Sequence, residues 1–213
     1  MPLRFATPGV PASTPGAGGT VAGIRYAASL GIKAMEIEWV QSVPKNPARM
    51  EEVRAVRDEC GFTLTVHAPY FVNLNSSEPE KYDASIRRIL DALSMSQLCG
   101  AWSVCVHAAF YGGKDPAEAN DNVRRATEGI LKHKAKLFPD VNLAYETMGK
   151  QSQFGTLEEI LQISAEFDLI PCIDPAHLHA RANGGVNTSE EWHAMLDAYQ
   201  LALGKQSLEQ VRK

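Results

Sequence analysis

No run of about 18 apolar residues occurs in the 213-residue sequence, so no segment has the length and character of a membrane-crossing helix. The opening residues, MPLRFATPGVP, lack the apolar stretch of a secretory signal. Cysteine is scarce, and Cys60, Cys99, Cys105 and Cys172 stand singly in helix or strand patterns with no CxxC spacing. They read as reduced core residues rather than zinc ligands or a disulfide framework. A cytoplasmic location with no membrane partner is the expectation. Positive charge is not in excess either: the net charge of −4 excludes a broadly basic surface and leaves nucleic-acid contact to a local patch. Arg87/Arg88, Arg124/Arg125 and Lys132-His133-Lys134 fall in helical stretches and read as solvated faces. There is no G-x-G-x-x-G after the first strand and no G-x-S-x-G anywhere; the PGAGG at 15–19 has the wrong spacing and reads as a loop.

What is present is a repeating strand-helix pattern. Apolar or β-rich runs recur at LRFA (3–6), AMEIEWV (34–40), FTLTVHA (62–68), WSVCVHA (102–108), VNLAYE (141–146) and LIPCID (169–174). Amphipathic stretches separate them. Tyr82, Ile86, Ile89, Leu90 and Leu93 share one helical face, after a capping-box spacing at Ser77-Glu78-Pro79-Glu80. Asp115-Pro116 has the form of N-cap and N1, and capping boxes recur at Thr156–Glu159 and Thr188–Glu191. Trp192, Met195, Leu196, Tyr199 and Leu203 are expected along one face of the last helix. Strand and helix alternating in this way predict a parallel α/β protein, either a doubly wound sheet or a (β/α)8 barrel.

The polar residues favour the barrel. Glu36 and Glu38 come from the second run, His67 from the third and His107 from the fourth; Glu146 ends the fifth and Asp174 the sixth. In a parallel barrel these ends converge on one face, where active sites lie. Such groups are unfavourable to bury together unless paired or holding a cation. Imidazole nitrogen with carboxylate oxygen suits zinc or manganese. Glu38 is open between a carboxylate that orients a metal ligand and a solvated side chain. His133 and His193 lie inside helix patterns and read as surface residues.

HAPYFVNL (67–74), VHAAFYGG (106–113), YETMGKQSQFGT (145–156) and IDPAHLHAR (173–181) together resemble successive strand-end motifs of the endonuclease IV family, AP endonuclease family 2. That family belongs to the xylose isomerase-like TIM barrels, and the likeness is closest to archaeal members. The resemblance implies up to three zinc ions, with manganese as an alternative. His67, His107 and Glu146 would hold one; Glu146, also the central catalytic group, would bridge to a second held by Asp174; His177 would bind a third. Tyr70 and Asn73 match positions lining a DNA-facing rim. Arg181 is open between phosphate contact and a structural salt bridge, and His179 is expected to be structural. The implied activity is hydrolysis of DNA 5′ to abasic sites through metal-activated water.

Six βα units are counted where the barrel has eight, so residues 1–213 are expected to form a single TIM-barrel domain, incomplete at its C-terminus. The family's remaining ligands, a strand-seven His, an Asp-x-His pair and a strand-eight Glu, have no counterpart. A xylose isomerase-like sugar isomerase or epimerase with one divalent metal and a small sugar substrate is the rival expectation. A third is a non-catalytic barrel, or one completed by a companion chain.

Overall fold

The computed structural model describes residues 4–16 and 18–204. Five strands, β1 (Ala6–Pro8), β2 (Ala34–Glu38), β3 (Thr63–His67), β4 (Ser103–Val106) and β6 (Asn142–Tyr145), form one sheet in that order, every pair parallel. A two-residue antiparallel ribbon joins β5 (Ala109–Phe110) to β7 (Gln153–Phe154). The helices are α1 (Thr20–Ser29), α2 (Pro47–Glu59), α3 (Pro79–Cys99), α4 (Pro116–Leu137), α5 (Leu157–Phe167), α6 (Pro175–Arg181) and α7 (Ser189–Leu203). Strand order in the main sheet follows chain order without reversal. Right-handed crossovers in one direction put all the connecting helices on one face, whereas a doubly wound sheet must reverse. The fold is therefore of the TIM-barrel type.

Residues alternate between the two faces of each strand. Met35, Ile37, Leu64, Val66, Val104, Val106, Leu143 and Tyr145 point one way and are all buried. They join one core with Ile24 of α1, Val53 of α2, Leu93 of α3, Ile130 of α4 and Ile160 of α5. Full burial of such a side chain contributes roughly 1.5–3 kcal/mol relative to exposure, so this helix-facing layer is the main source of stability. The opposite face carries the other parity. Glu36, Thr65, Ser103 and Asn142 are in register across the sheet, and Glu38, His67, Cys105 and Ala144 form the next row.

Asp115, Thr156 and Thr188 cap α4, α5 and α7 as expected, the last two with complete capping boxes. Four expectations are corrected. The first strand lies at Ala6–Pro8 instead of 3–6, with Leu3 outside the described residues. It is an edge strand whose side chains are exposed or half-buried, so no apolar run marks it. The sixth run, 169–174, makes a single parallel bridge, Glu146 to Cys172. Pro171 has no N–H to add to a ladder, which confines it to an edge. Glu78, not Ser77, precedes α3, because Pro79 takes the first helical position. On α7 only Met195 and Tyr199 are buried; Trp192 and Leu196 are exposed. Among the described residues no helix is long and apolar enough to cross a membrane.

Candidate metal centre

Glu146 stands at the C-terminal end of β6 and is buried. Two strands away, His67 ends β3, and its Nε2 lies 3.2 Å from Glu146 Oε2. His107, just past β4, brings its Nε2 to 2.9 Å from the same oxygen. The His67 Nδ1 faces the Ala68 carbonyl at 2.8 Å. A carbonyl only accepts, so that bond keeps a proton on Nδ1 and turns Nε2 toward the carboxylate, the orientation in which a metal ion could take the place of the Nε2 proton. The two rings meet edge to face, with centroids 4.9 Å apart.

The other half of the centre comes from the bridge to the sixth run. Thr147 donates its backbone N–H to the Cys172 carbonyl (3.0 Å), and its hydroxyl accepts from the Asp174 N–H (2.8 Å). Asp174 is thereby fixed as N-cap of α6: one carboxylate oxygen accepts from the His177 N–H at 2.9 Å, and Oδ2 is 3.6 Å from His177 Nδ1. His177 Nδ1 also lies 2.8 Å from the Thr147 carbonyl and 3.2 Å from Glu146 Oε1. Glu146 therefore faces His67 and His107 with one oxygen and His177 with the other. Ligand atoms of His67, His107 and Glu146 lie within 4.8 Å of one another, and so do those of Glu146, Asp174 and His177. Nitrogen and carboxylate donors so disposed fit zinc or manganese.

The electrostatics fit a site under strain from burial. Burial pushes the His67 imidazole down, but the bond to Glu146, the Ala68 carbonyl and the neighbouring carboxylates outweigh it, and its pKa is raised to about 9. Burial pushes Glu146 up, yet the bonds from His107 and His67 hold it well below the usual carboxylate range. Glu36, deeper on the same face, is raised chiefly by burial, although Thr65 donates to it at 3.3 Å. Glu38 is exposed.

Among the other expected site residues, Tyr70 stacks on His107 with centroids 5.1 Å apart and planes 22° from parallel, its outer side open to solvent. Asn73 turns inward: its Oδ1 accepts from the Asn75 and Phe110 N–H groups, tying the β3–α3 loop to β5. Arg181 donates to the carbonyls of Met148, Lys150 and Gln153 and to the Tyr111 hydroxyl, so it braces the loop after β6. His179 Nδ1 lies 2.8 Å from the Gly185 carbonyl, a local contact. The loop after β6 returns behind Glu146 through Gly155, whose φ of +135° favours glycine; a Cβ there would come within 2.9 Å of the Glu146 carbonyl. Sequence reasoning missed Asn75, buried and donating to the Phe110 and Tyr111 carbonyls, and Thr147. Polar residues beside strand ends were the available signal.

A family model described as xylose isomerase-like TIM barrel matches residues 24–211. An uncharacterized protein of Methanocaldococcus jannaschii is 31% identical over 206 residues, covering 97% of this chain and 73% of the relative. Endonuclease 4 of Thermus thermophilus is 28% identical over 200 residues, covering 90% of this chain and 70% of its own length. The crystal structure of an endonuclease IV from Thermus thermophilus superposes with a TM-score of 0.71 at 24% identity, over 97% of this chain and 72% of that one. A D-tagatose 3-epimerase-like protein superposes with a TM-score of 0.68 at 17% identity, over 93% and 72%. These two structural likenesses carry the fold alone.

Proposed function

The chain belongs to the xylose isomerase-like TIM barrel family, and on that footing we propose that it is a metal-dependent, endonuclease IV-like phosphodiesterase that cleaves DNA 5′ to abasic sites. The observation that carries the proposal is the convergence of His67, His107 and His177 on the single buried carboxylate of Glu146, with Asp174 set against His177. The identity to an endonuclease 4 sequence supports it. His67, His107 and Glu146 would hold one zinc-class ion, Glu146 and Asp174 would contribute to a second, and His177 would contribute to a third. Bound there, such ions supply Lewis acidity toward a phosphoryl oxygen and the charge that activates water.

This chain's own residues do the rest. Glu146 keeps its charge at neutral pH and orients both imidazoles. Ala68 and Thr147, through their carbonyls, fix the ring nitrogens of His67 and His177. Tyr70 walls the mouth beside His107 and forms the rim that DNA meets, while Asn73 holds the loop that carries it. An abasic nucleotide costs less to extrude than a paired base, which favours it as substrate. The direct test is nicking of an abasic duplex by the zinc-loaded protein. Cleavage 5′ to the lesion, abolished by EDTA and by His107→Ala, is expected; undiminished nicking by His107→Ala contradicts the assignment.

A second reading, epimerisation of a small sugar, is favoured by one observation: both His/Asp/Glu groups share Glu146, so one ion suffices to engage it. One metal per chain with keto-sugar turnover and no abasic nicking decides for that reading.

A further inference from the structure

Cys105 and Cys172, read from the sequence as reduced core residues, meet at the same carboxylate. Cys105 sits in register with His67 on the inner face of the sheet, and its thiol donates to Glu146 Oε2 at 3.3 Å. Cys172 is the bridge partner of Glu146. One ligand atom from each of Cys105, Glu146 and Cys172 lies within 4.8 Å of the others. The remaining cysteines, Cys60 and Cys99, lie at the ends of α2 and α3.

A disulfide is not what this arrangement prepares. Strand β6 separates the two cysteines, a span of two strands at roughly 4.8 Å each. Disulfides require Cα atoms closer than about 7 Å. The side chains instead lean toward a shared point beside Glu146 from opposite sides of β6. Two sulfurs and a carboxylate oxygen make a donor set that selects thiophilic d10 ions, and three protein ligands leave one position of a tetrahedral ion open.

We propose that Cys105, Cys172 and Glu146 form a soft-metal position on the inner wall, sharing Glu146 with the His67–His107 pair. On binding, each thiol forms a sulfur–metal bond and releases its proton to solvent, with no change of oxidation state. Glu146 Oε2 then stands between nitrogen donors and sulfur donors. Hard ions such as magnesium are rejected by the latter, and ions such as cadmium and zinc are accepted. The inference rests on Glu146 being a metal ligand but not on any substrate.

The test is a titration of the metal-stripped protein with cadmium, followed by the ultraviolet thiolate-to-cadmium charge-transfer absorption. A band that saturates with cadmium, is absent with magnesium, and is lost in the Cys105→Ser/Cys172→Ser double variant is expected. Cadmium bound without that band overturns the proposal, and so does a band of full size in the double variant. Should the double variant fold poorly, alkylation of wild-type protein decides. Cadmium is expected to protect Cys172 from iodoacetamide where magnesium does not, and equal labelling in both overturns the proposal. Absence of abasic nicking beside an intact band removes the nuclease reading alone; nicking without the band removes this inference alone.

Discussion

The helix-facing and inward faces of the main sheet are built from the same five strands, one residue out of step, and they could hardly differ more in chemistry. Leu64, Val66, Val104, Val106, Leu143 and Tyr145 face the helices and are buried without a charge among them. Between them, pointing inward, stand Thr65, His67, Ser103, Cys105 and, at the strand ends, His107 and Glu146. TIM-barrel interiors are dominated by branched aliphatic side chains; this inner wall is instead polar toward the C-terminal ends of its strands. Burial stabilises the fold on one face. On the other it destabilises every group not paired with a neighbour or neutralised by an ion. Parity along the strand separates stability from chemistry, and a one-residue slip would exchange them.

That separation can be broken at either face. The largest effect is expected from Glu146→Gln, which removes the anion facing His67, His107 and His177: bound zinc, measured by elemental analysis, falls to background in a folded protein. On the opposite face Leu64→Ala is expected to cost about 2–5 kcal/mol by denaturant unfolding while leaving zinc per folded chain unchanged. Thr147→Val, which deletes the hydroxyl bonded to the Asp174 backbone, is expected to weaken metal affinity roughly 10- to 100-fold in competition titrations.

The metal-free pair of His67 and Glu146 makes stability pH-dependent in a defined sense. His67 is raised from 6.5 to about 9, so its contribution is complete below pH 6.5 and is lost as pH rises through 9. Glu146 is lowered from 4.5, so its contribution is present above that pH and lost as pH falls. In EDTA the melting temperature is expected to decline between pH 6.5 and 9, and saturating zinc, which replaces the proton, to flatten that decline. The smallest change is Thr156→Ala at the α5 cap, about 1 kcal/mol, with no effect on metal.

Much of this centre was legible because parallel strands expose their last residue. His67, His107, Glu146 and Asp174 each terminate an apolar run, and no knowledge of pairing was needed to send them to one mouth. Cys105 was hidden because cysteine within SVCV is indistinguishable from a small core residue; only the register with His67 turns it inward. Cys172 needed the bridge to Glu146, which Pro171 reduces to a single pairing. Arg181 was ambiguous because its role depends on where a long side chain points, and three carbonyls of the loop after β6 take it. Strand β1 was expected at 3–6 and lies at Ala6–Pro8, because an exposed edge needs no apolar pattern to mark its bounds.

The central claim is that Glu146 with His67 and His107 is a metal centre. Anomalous diffraction from crystals of the zinc-loaded protein tests it most directly. The account predicts a zinc peak with His67 Nε2, His107 Nε2 and a Glu146 oxygen at about 2.0–2.2 Å. No peak there, with His67 Nε2 still bonded to Glu146, would contradict it.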